Sequence, residues 1–415
     1  MASGDKIILS GSAGINVYVD TLAYSKGYYC IGSDRNIYKS LTDDNTGNDP
    51  VDDTDEVNWK FHLNMDSITT TEKPMQLRGG TTGEHSTFTG EPREVTVNTD
   101  KKTLVVHDGV TAGGVTVKAI INTDKTVTVG SDGDFATMNE ALEFLSSYYP
   151  QYKQNGINVE VKLLAGFTMT EQVAINGIDL GWITITGEDD ETTIDADDFE
   201  DIPALEYHTT NTPTFSAKNG VLPTIGQLFT TTNGGTENNG VHLENSKCKV
   251  LSGCGVKNVG QYGIIASECS FAVIRDSVFS GAGGNGIYAV HSSLINAYGA
   301  DASGSGDNGI HAAANSTISA IMSNASDAAK KGIFALQGSR VAAYDCTATN
   351  TGSYSVYAGR NSHIDATASD CSTDGDPTVE YFVEKGSTIT MHDASGETDT
   401  NISLNTLDTD GIIYG

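Results

Sequence analysis

Val241-His242-Leu243, Ile264-Ile265-Ala266, Ile287-Tyr288-Ala289, Ile310-His311-Ala312, Ile333-Phe334-Ala335, Val356-Tyr357-Ala358 and Val379-Glu380-Tyr381 follow one another at a constant spacing of 23 residues. Ile402 extends the first column of that count. Positions i and i+2 of each triplet are apolar and mostly small, the alternation of one strand face. A second pair of columns runs through Ala272, Ile295, Ile318, Val341 and Ile364, and through Ile274, Ala297, Ala320, Ala343 and Ala366. A third column runs Val256, Phe279, Ala302, Ala325, Ala348 and Cys371. Each unit therefore holds three short strands divided by Gly, Asn and Ser turns. One unit has nothing to bury its apolar face against, whereas stacked copies make a continuous core. Three strands per turn predict a parallel β-helix, rising about 4.8 Å per coil. No uninterrupted run with a 3.6-residue period competes with this reading.

Composition narrows the function. The chain has 415 residues, enough for several domains, and a formal charge of −30. Such a charge argues against nucleic acid as a partner and disfavours strongly anionic polymers. No apolar run is long enough for a membrane span, so no membrane insertion is expected. The first ten residues lack the basic and apolar regions of a signal peptide. Cys30, Cys248, Cys254, Cys269, Cys346 and Cys371 show no CxxC or metal-ligand spacing. They read as free thiols of a protein assembled in a reducing cytoplasm, and no metal or other cofactor is expected.

Residues 1–64 read as a small, turn-rich β domain. Ala23-Tyr24-Ser25-Lys26-Gly27-Tyr28-Tyr29, Ile37-Tyr38, Asn45-Thr46-Gly47-Asn48-Asp49-Pro50 and Trp59 resemble the family 5/12 type of carbohydrate-binding module found in phage fibre proteins. That resemblance implies sugar stacking on Tyr24, Tyr38 and Trp59. The alternative is that these rings are the little domain's own core, because a domain of this size needs its aromatics for stability. The acidic stretch from Asp43 to Glu56 lacks EF-hand spacing and reads as a solvated loop.

Residues 65–122 read as a polar linker followed by strands and turns. Leu77-Arg78-Gly79-Gly80-Thr81, Phe88-Thr89-Gly90, Glu94-Val95-Thr96-Val97 and Thr103-Leu104-Val105-Val106-His107-Asp108-Gly109 resemble the N-terminal domain of phage major tropism determinants. The resemblance implies a small trimeric neck within a receptor-binding protein, with His107 structural. Residues 123–405 are assigned to the β-helix, with a helix near 136–149 over its open end. Met138, Ala141, Leu142 and Leu145 give that helix its apolar face. This segment resembles the opening coils of pectin-lyase-like β-helices in phage tailspikes, which implies a right-handed helix. Residues 198–239 lack the period and are either irregular coils or a long excursion. Residues 406–415 are assigned to a C-terminal tail.

Several side chains are candidates for function. The column between the inward positions, His242, Ile265, Tyr288, His311, Phe334, Tyr357 and Glu380, faces outward. It is either a platform for a polysaccharide, with Tyr288, His311 and Tyr357 as the contacts, or a subunit interface. Asp276 with Asp301, and Asp345 with Asp370, are assigned to outward positions of the third strand. Each pair lies one coil plus two residues apart, roughly 8 Å, a separation suited to an inverting glycosidase. Glu268 and His291 fall on adjacent coils, where the imidazole would serve a lyase as base. Arg275 is level with Tyr298 by the same count. The expectation is a mainly β chain in a homotrimeric virion tailspike or tail fibre, attached to phage tail or baseplate proteins and recognising host surface polysaccharide. A polysaccharide depolymerase and a structural head or neck fibre are the alternatives.

Overall fold

The structure, a computed structural model, describes residues 16–34, 36–63, 77–202, 205, 212–233, 238–372, 381–394 and 412–414. The chain divides into two compact units, Met1–Leu77 and Arg78–Gly415. The predicted linker between Asn64 and Pro74 lies outside the described residues.

The first unit is a four-stranded sheet of Asn16–Val17, Tyr29–Ile31, Ile37–Ser40 and Trp59–Leu63. Its core is Tyr24, Cys30, Tyr38 and Trp59. Carboxylates of the acidic stretch brace its turns: Asp53 Oδ2 accepts from the backbone N–H groups of Asn58 and Trp59, both at 2.6 Å.

The second unit opens with a small sheet of Gly79–Gly80, Val95–Asn98, Thr103–Val106 and Val115–Val117. A short helix, α1 (Thr82–Thr87), lies between the first two of these strands. The sequence reading expected one helix only. The missed signal is a capping box, in which Thr81 and Glu84 exchange side-chain to backbone hydrogen bonds, too local to show as periodicity. The buried side of this sheet is largely polar, with Val105 beside Thr96, Asn98 and Thr103: Thr96 Oγ1 bridges His85 Nε2 at 2.8 Å and His107 Nε2 at 2.9 Å. His107 is 2% exposed and packs under Gly90 and Gly114, whose added Cβ atoms would fall 2.5 and 2.7 Å from the ring.

Next comes the parallel solenoid. Helix α2 (Met138–Ser146) is started by the Thr137 and Glu140 capping box. It buries Met138, Ala141, Leu142 and Leu145 in the same apolar cluster as the coils, so the open end of the core is covered. Among the described residues, one parallel sheet has nine strands, from Val173–Asn176 to Tyr381–Val383, and a second has eight, from Lys247–Lys249 to Ile412–Tyr414. The third column narrows to single bridges at Val278, Asp301, Asn324, Thr347 and Asp370. The inward columns pair as counted, Ile264 with Ile287, Ile310, Ile333 and Val356 in turn, and all five are fully buried.

Of the two readings left open for residues 198–239, residues 212–233 form coils of the solenoid: Phe215 pairs with Val173 below and Val241 above. The unequal spacing of those partners conceals the period. The count also slips at the far end, where Val356 pairs with Tyr381 and not with position 379. Two extra residues in that coil shift the columns, so Ile364 is followed by Ile389; Val379, Glu380 and Ile402 lie outside the described residues. Finally, Ile412–Tyr414, assigned to a tail, pairs with Thr388–Thr390 as a further rung.

Buried serines hold one corner of the coils together. The N–H of Ser270 donates to Ser293 Oγ at 3.1 Å, Ser293 to Ser316 at 3.1 Å, Ser316 to Ser339 at 3.1 Å and Ser339 to Ser362 at 3.2 Å. A buried backbone donor must be paired, and a hydroxyl one rung away meets that need without adding bulk. Cys346 stands in a second such column, its backbone N–H donating to Ser369 Oγ at 3.2 Å. Burial pushes its thiol up to about 12. Cys30, Cys248 and Cys371 are also buried, while Cys269 is exposed.

Candidate functional site: two outward faces of the solenoid

Outward positions on the nine-stranded sheet carry a continuous aromatic stack. The rung spacing of about 4.8 Å is itself a ring-stacking distance, so aromatics repeated at one strand position meet face to face. Tyr288 and His311 lie 4.6 Å apart at 16°, and His311 and Phe334 4.4 Å apart at 20°. Tyr357 meets Phe334 edge-on at 5.0 Å and stacks on Phe382 at 4.9 Å. Tyr262 extends the row below Tyr288, at 5.5 Å. Ile265 and Phe334 are 0% and 8% exposed; Ile265 forms a separate small cluster with Val290 and Ala313. His242, at the base of the column, is fully buried, 3.7 Å from Glu244.

Charge is threaded into this row. Lys331 Nζ sits 4.5 Å from the Phe334 ring centre and 5.3 Å from that of Tyr357, and burial lowers its pKa. Burial and a hydrogen bond to Glu384 raise the pKa of Tyr357. His311 is partly exposed, but both ring nitrogens are buried without a hydrogen-bond partner. Burial first, and the Lys331 charge second, bring its pKa down to about 3.

The second outward face belongs to the eight-stranded sheet and the turn that follows it. Arg275 lies over Tyr298, 4.8 Å from the ring centre, as the count implies. Tyr298 donates from its hydroxyl to Met322 Sδ at 2.8 Å. Met322, Tyr344 and Leu294 are 54%, 44% and 42% exposed. Tyr298, Tyr344 and Met322 were not recognised as site residues from sequence. They lie in a turn, where no alternation marks the outward side, although the column Arg275, Tyr298, Ile321, Tyr344 was open to counting.

The remaining candidates separate clearly. Tyr24, Tyr38 and Trp59, read as sugar-stacking residues, are 3%, 9% and 1% exposed. Tyr24 and Trp59 meet each other at 5.1 Å, and the Trp59 indole N–H donates to the Asn48 carbonyl at 2.7 Å. Their faces are spent on one another; the exposed rings of this unit are Tyr28 and Phe61, at 63% and 46%. The aspartate pairs do not share a strand as expected. Asp276 and Asp345 are turn residues with positive φ of 52° and 54°, whereas Asp301 and Asp370 are bridge residues of the third column. Asp301 accepts from the Asn324 amide at 3.1 Å and the Ser303 N–H at 3.1 Å, and Asp370 braces Ser372. Glu268 and His291 do meet, with Oε1 and Nδ1 2.6 Å apart on an exposed corner.

Comparison with known proteins adds to this geometry. Residues 224–376 match the family described as right handed beta helix region. A solved structure, the A-module of mannuronan C-5 epimerase AlgE4 from Azotobacter vinelandii, aligns over 62% of this chain and 91% of that one, at 10% identity and a TM-score of 0.29. A 40-residue segment is 70% identical to the tail fiber receptor-binding protein of Bordetella phage BPP-1 and spans 10% of each protein. Residues 75–111, the small sheet with its bridged histidines, match the family described as major tropism determinant N-terminal domain.

Proposed function

We propose that the chain is a subunit of a phage tail fibre or tailspike, that three copies associate, and that the assembly recognises a host cell-surface polysaccharide. The first unit would join it to tail or baseplate proteins, with the mature protein on the virion. The observation that carries this reading is the short, 70% identical match to a phage receptor-binding protein in a chain that continues as a β-solenoid.

The small sheet supports association. Val95, Val106 and Val115 stand in one cross-strand row, and Val97, Leu104 and Val117 in the next. Leu104, Val106, Val115 and Val117 are 43%, 37%, 64% and 45% exposed, while the opposite side buries Val105 with Thr96, Asn98 and Thr103. An apolar outer face on a sheet whose inner side is largely polar fits burial against other copies. The ring stack also fits a subunit contact better than a sugar platform, because its rings occupy one another's faces. Light scattering on the purified chain tests association: a three-chain mass is expected, and Val106→Asp should lower it. A single-chain mass for the unmutated protein would overturn the trimer. Retention on host cells tests recognition, and imaging the labelled chain on virions separates a tail from a head fibre.

A depolymerase is the second reading, favoured by the 2.6 Å contact of Glu268 with His291. Incubation with host polysaccharide decides it. Unsaturated products that vanish in His291→Gln indicate elimination at this corner, new reducing ends indicate hydrolysis, and neither product leaves adhesion alone.

A further inference from the structure

We propose that a neutral polysaccharide lies along the outer face of the eight-stranded sheet, in a shallow trough between Leu294 and Arg340 on one side and Tyr298 and Tyr344 on the other. The proposal rests on the receptor-binding reading above and locates its contact surface.

The trough follows from register. Phe271, Leu294, Thr317 and Arg340 are successive partners in one outward column, and Val273, Asn296, Ser319 and Ala342 in the next. Ile295, Ile318 and Val341 between them point into the core, at 0%, 0% and 1% exposure, so both flanking columns share the solvent side. The floor narrows to Asn, Ser and Ala, while the rims keep Leu294, Arg340, Tyr298 and Tyr344. Small polar groups below large flat ones make a concave strip parallel to the solenoid axis.

Its chemistry fits a glycan. Tyr298 and Tyr344 lie two rungs apart, about 10 Å, the advance of roughly two sugar units of an extended chain. Tyr344, and the face of Tyr298 that Arg275 does not cover, offer apolar area to a pyranose face, and the Asn296 NH2 and Ser319 hydroxyl can hydrogen-bond to sugar hydroxyls. Interface cores between proteins are more continuously apolar than this strip. The stacked rings of the other sheet give each other their faces, whereas Tyr344 here is 44% exposed. Charge narrows the class of glycan: Lys247 and Lys249 stand at the foot of the two outward columns and Arg275 and Arg340 flank the strip, but Asp276, Asp345 and Asp365 are interspersed with them and the chain as a whole carries −30. On a chain with so large a negative excess, a polyanion is disfavoured.

The test uses the labelled full-length chain on a panel of bacterial strains, then polysaccharide purified from a strain that retains it. Tyr298→Ala with Tyr344→Ala should weaken solution binding at least about tenfold, or ~1.4 kcal/mol, with oligomeric mass unchanged and the thermal midpoint lowered by no more than a few degrees. Ser319→Tyr, which fills the floor from an outward position, should do the same, while Tyr152→Ala, 92% exposed elsewhere, should not. Unmutated binding should change little with added salt. Full binding by both trough variants overturns the trough and leaves the receptor reading standing. Steep loss with salt overturns the neutral class. Retention on no strain overturns the receptor reading and the trough together.

Discussion

The nine-stranded and eight-stranded sheets share one solenoid and one 23-residue count, yet they treat outward aromatic residues in opposite ways. On the first, rings repeat at a single strand position in consecutive rungs, from Tyr288 to Tyr357. Stacking consumes their faces, buries Phe334 to 8% exposure and lowers the pKa of Lys331 through burial. On the second, Tyr298 and Tyr344 are separated by Ile321; Arg275 covers one face of Tyr298, while Tyr344 and Met322 remain exposed. Adjacent rings make a rigid rib, and spaced rings leave faces for something else. Aromatic content alone therefore says little about binding; the number of rungs between rings decides.

The widest test of this contrast is truncation. Phe334→Ala removes a ring held on both sides and should cost about 3 kcal/mol, whereas Tyr344→Ala should cost less than about 1 kcal/mol. Urea denaturation of the two variants measures the difference, and equal losses would break the distinction. A smaller effect is expected at His311. Replacing it with Phe keeps the stack and removes two buried, unpartnered nitrogens, which should raise stability by about 1 kcal/mol.

The same residue sets a pH dependence. The His311 pKa falls from 6.5 to about 3 on folding, so below pH 6.5 the unfolded chain binds a proton that the folded chain refuses. Its contribution is fully present above that value and is lost as pH falls toward 3, by no more than about 1.4 kcal/mol per unit. Thermal melts from neutral to mildly acid pH should show a shallower loss in His311→Phe. If that variant instead lowers the oligomeric mass, a second copy reaches His311 and the rib is an interface. The smallest expected effect is Arg275→Gln, which removes the 4.8 Å contact with Tyr298 and should cost about 0.5 kcal/mol at an exposed site. Its measurable result should be greater Tyr298 mobility rather than a shifted midpoint.

Much of the rod was legible because a solenoid repeats in space what it repeats in sequence. Counting 23 placed Ile264, Ile287 and Ile310 on successive rungs, brought Glu268 to His291 and set Arg275 over Tyr298. The count failed where coils change length, at Phe215 and at Tyr381. It also misassigned Asp276, because two residues along the chain mean two along a strand only if the backbone stays extended, and Asp276 turns at φ 52°. Tyr24 and Trp59 posed a different difficulty, since an aromatic needed for a sugar and one needed for a core look alike in sequence.

By itself the sequence determined the strand columns, the inward Ile, Val and Ala residues and the helix over the open end, since these depend on local period, polarity and capping. Only the tertiary structure decided which outward aromatics are spent on each other and which face solvent. It also decided that His311 is held neutral and that Ile412–Tyr414 closes as another rung. Those outcomes depend on distances between coils and on what lies beside each side chain, which a one-dimensional count does not contain.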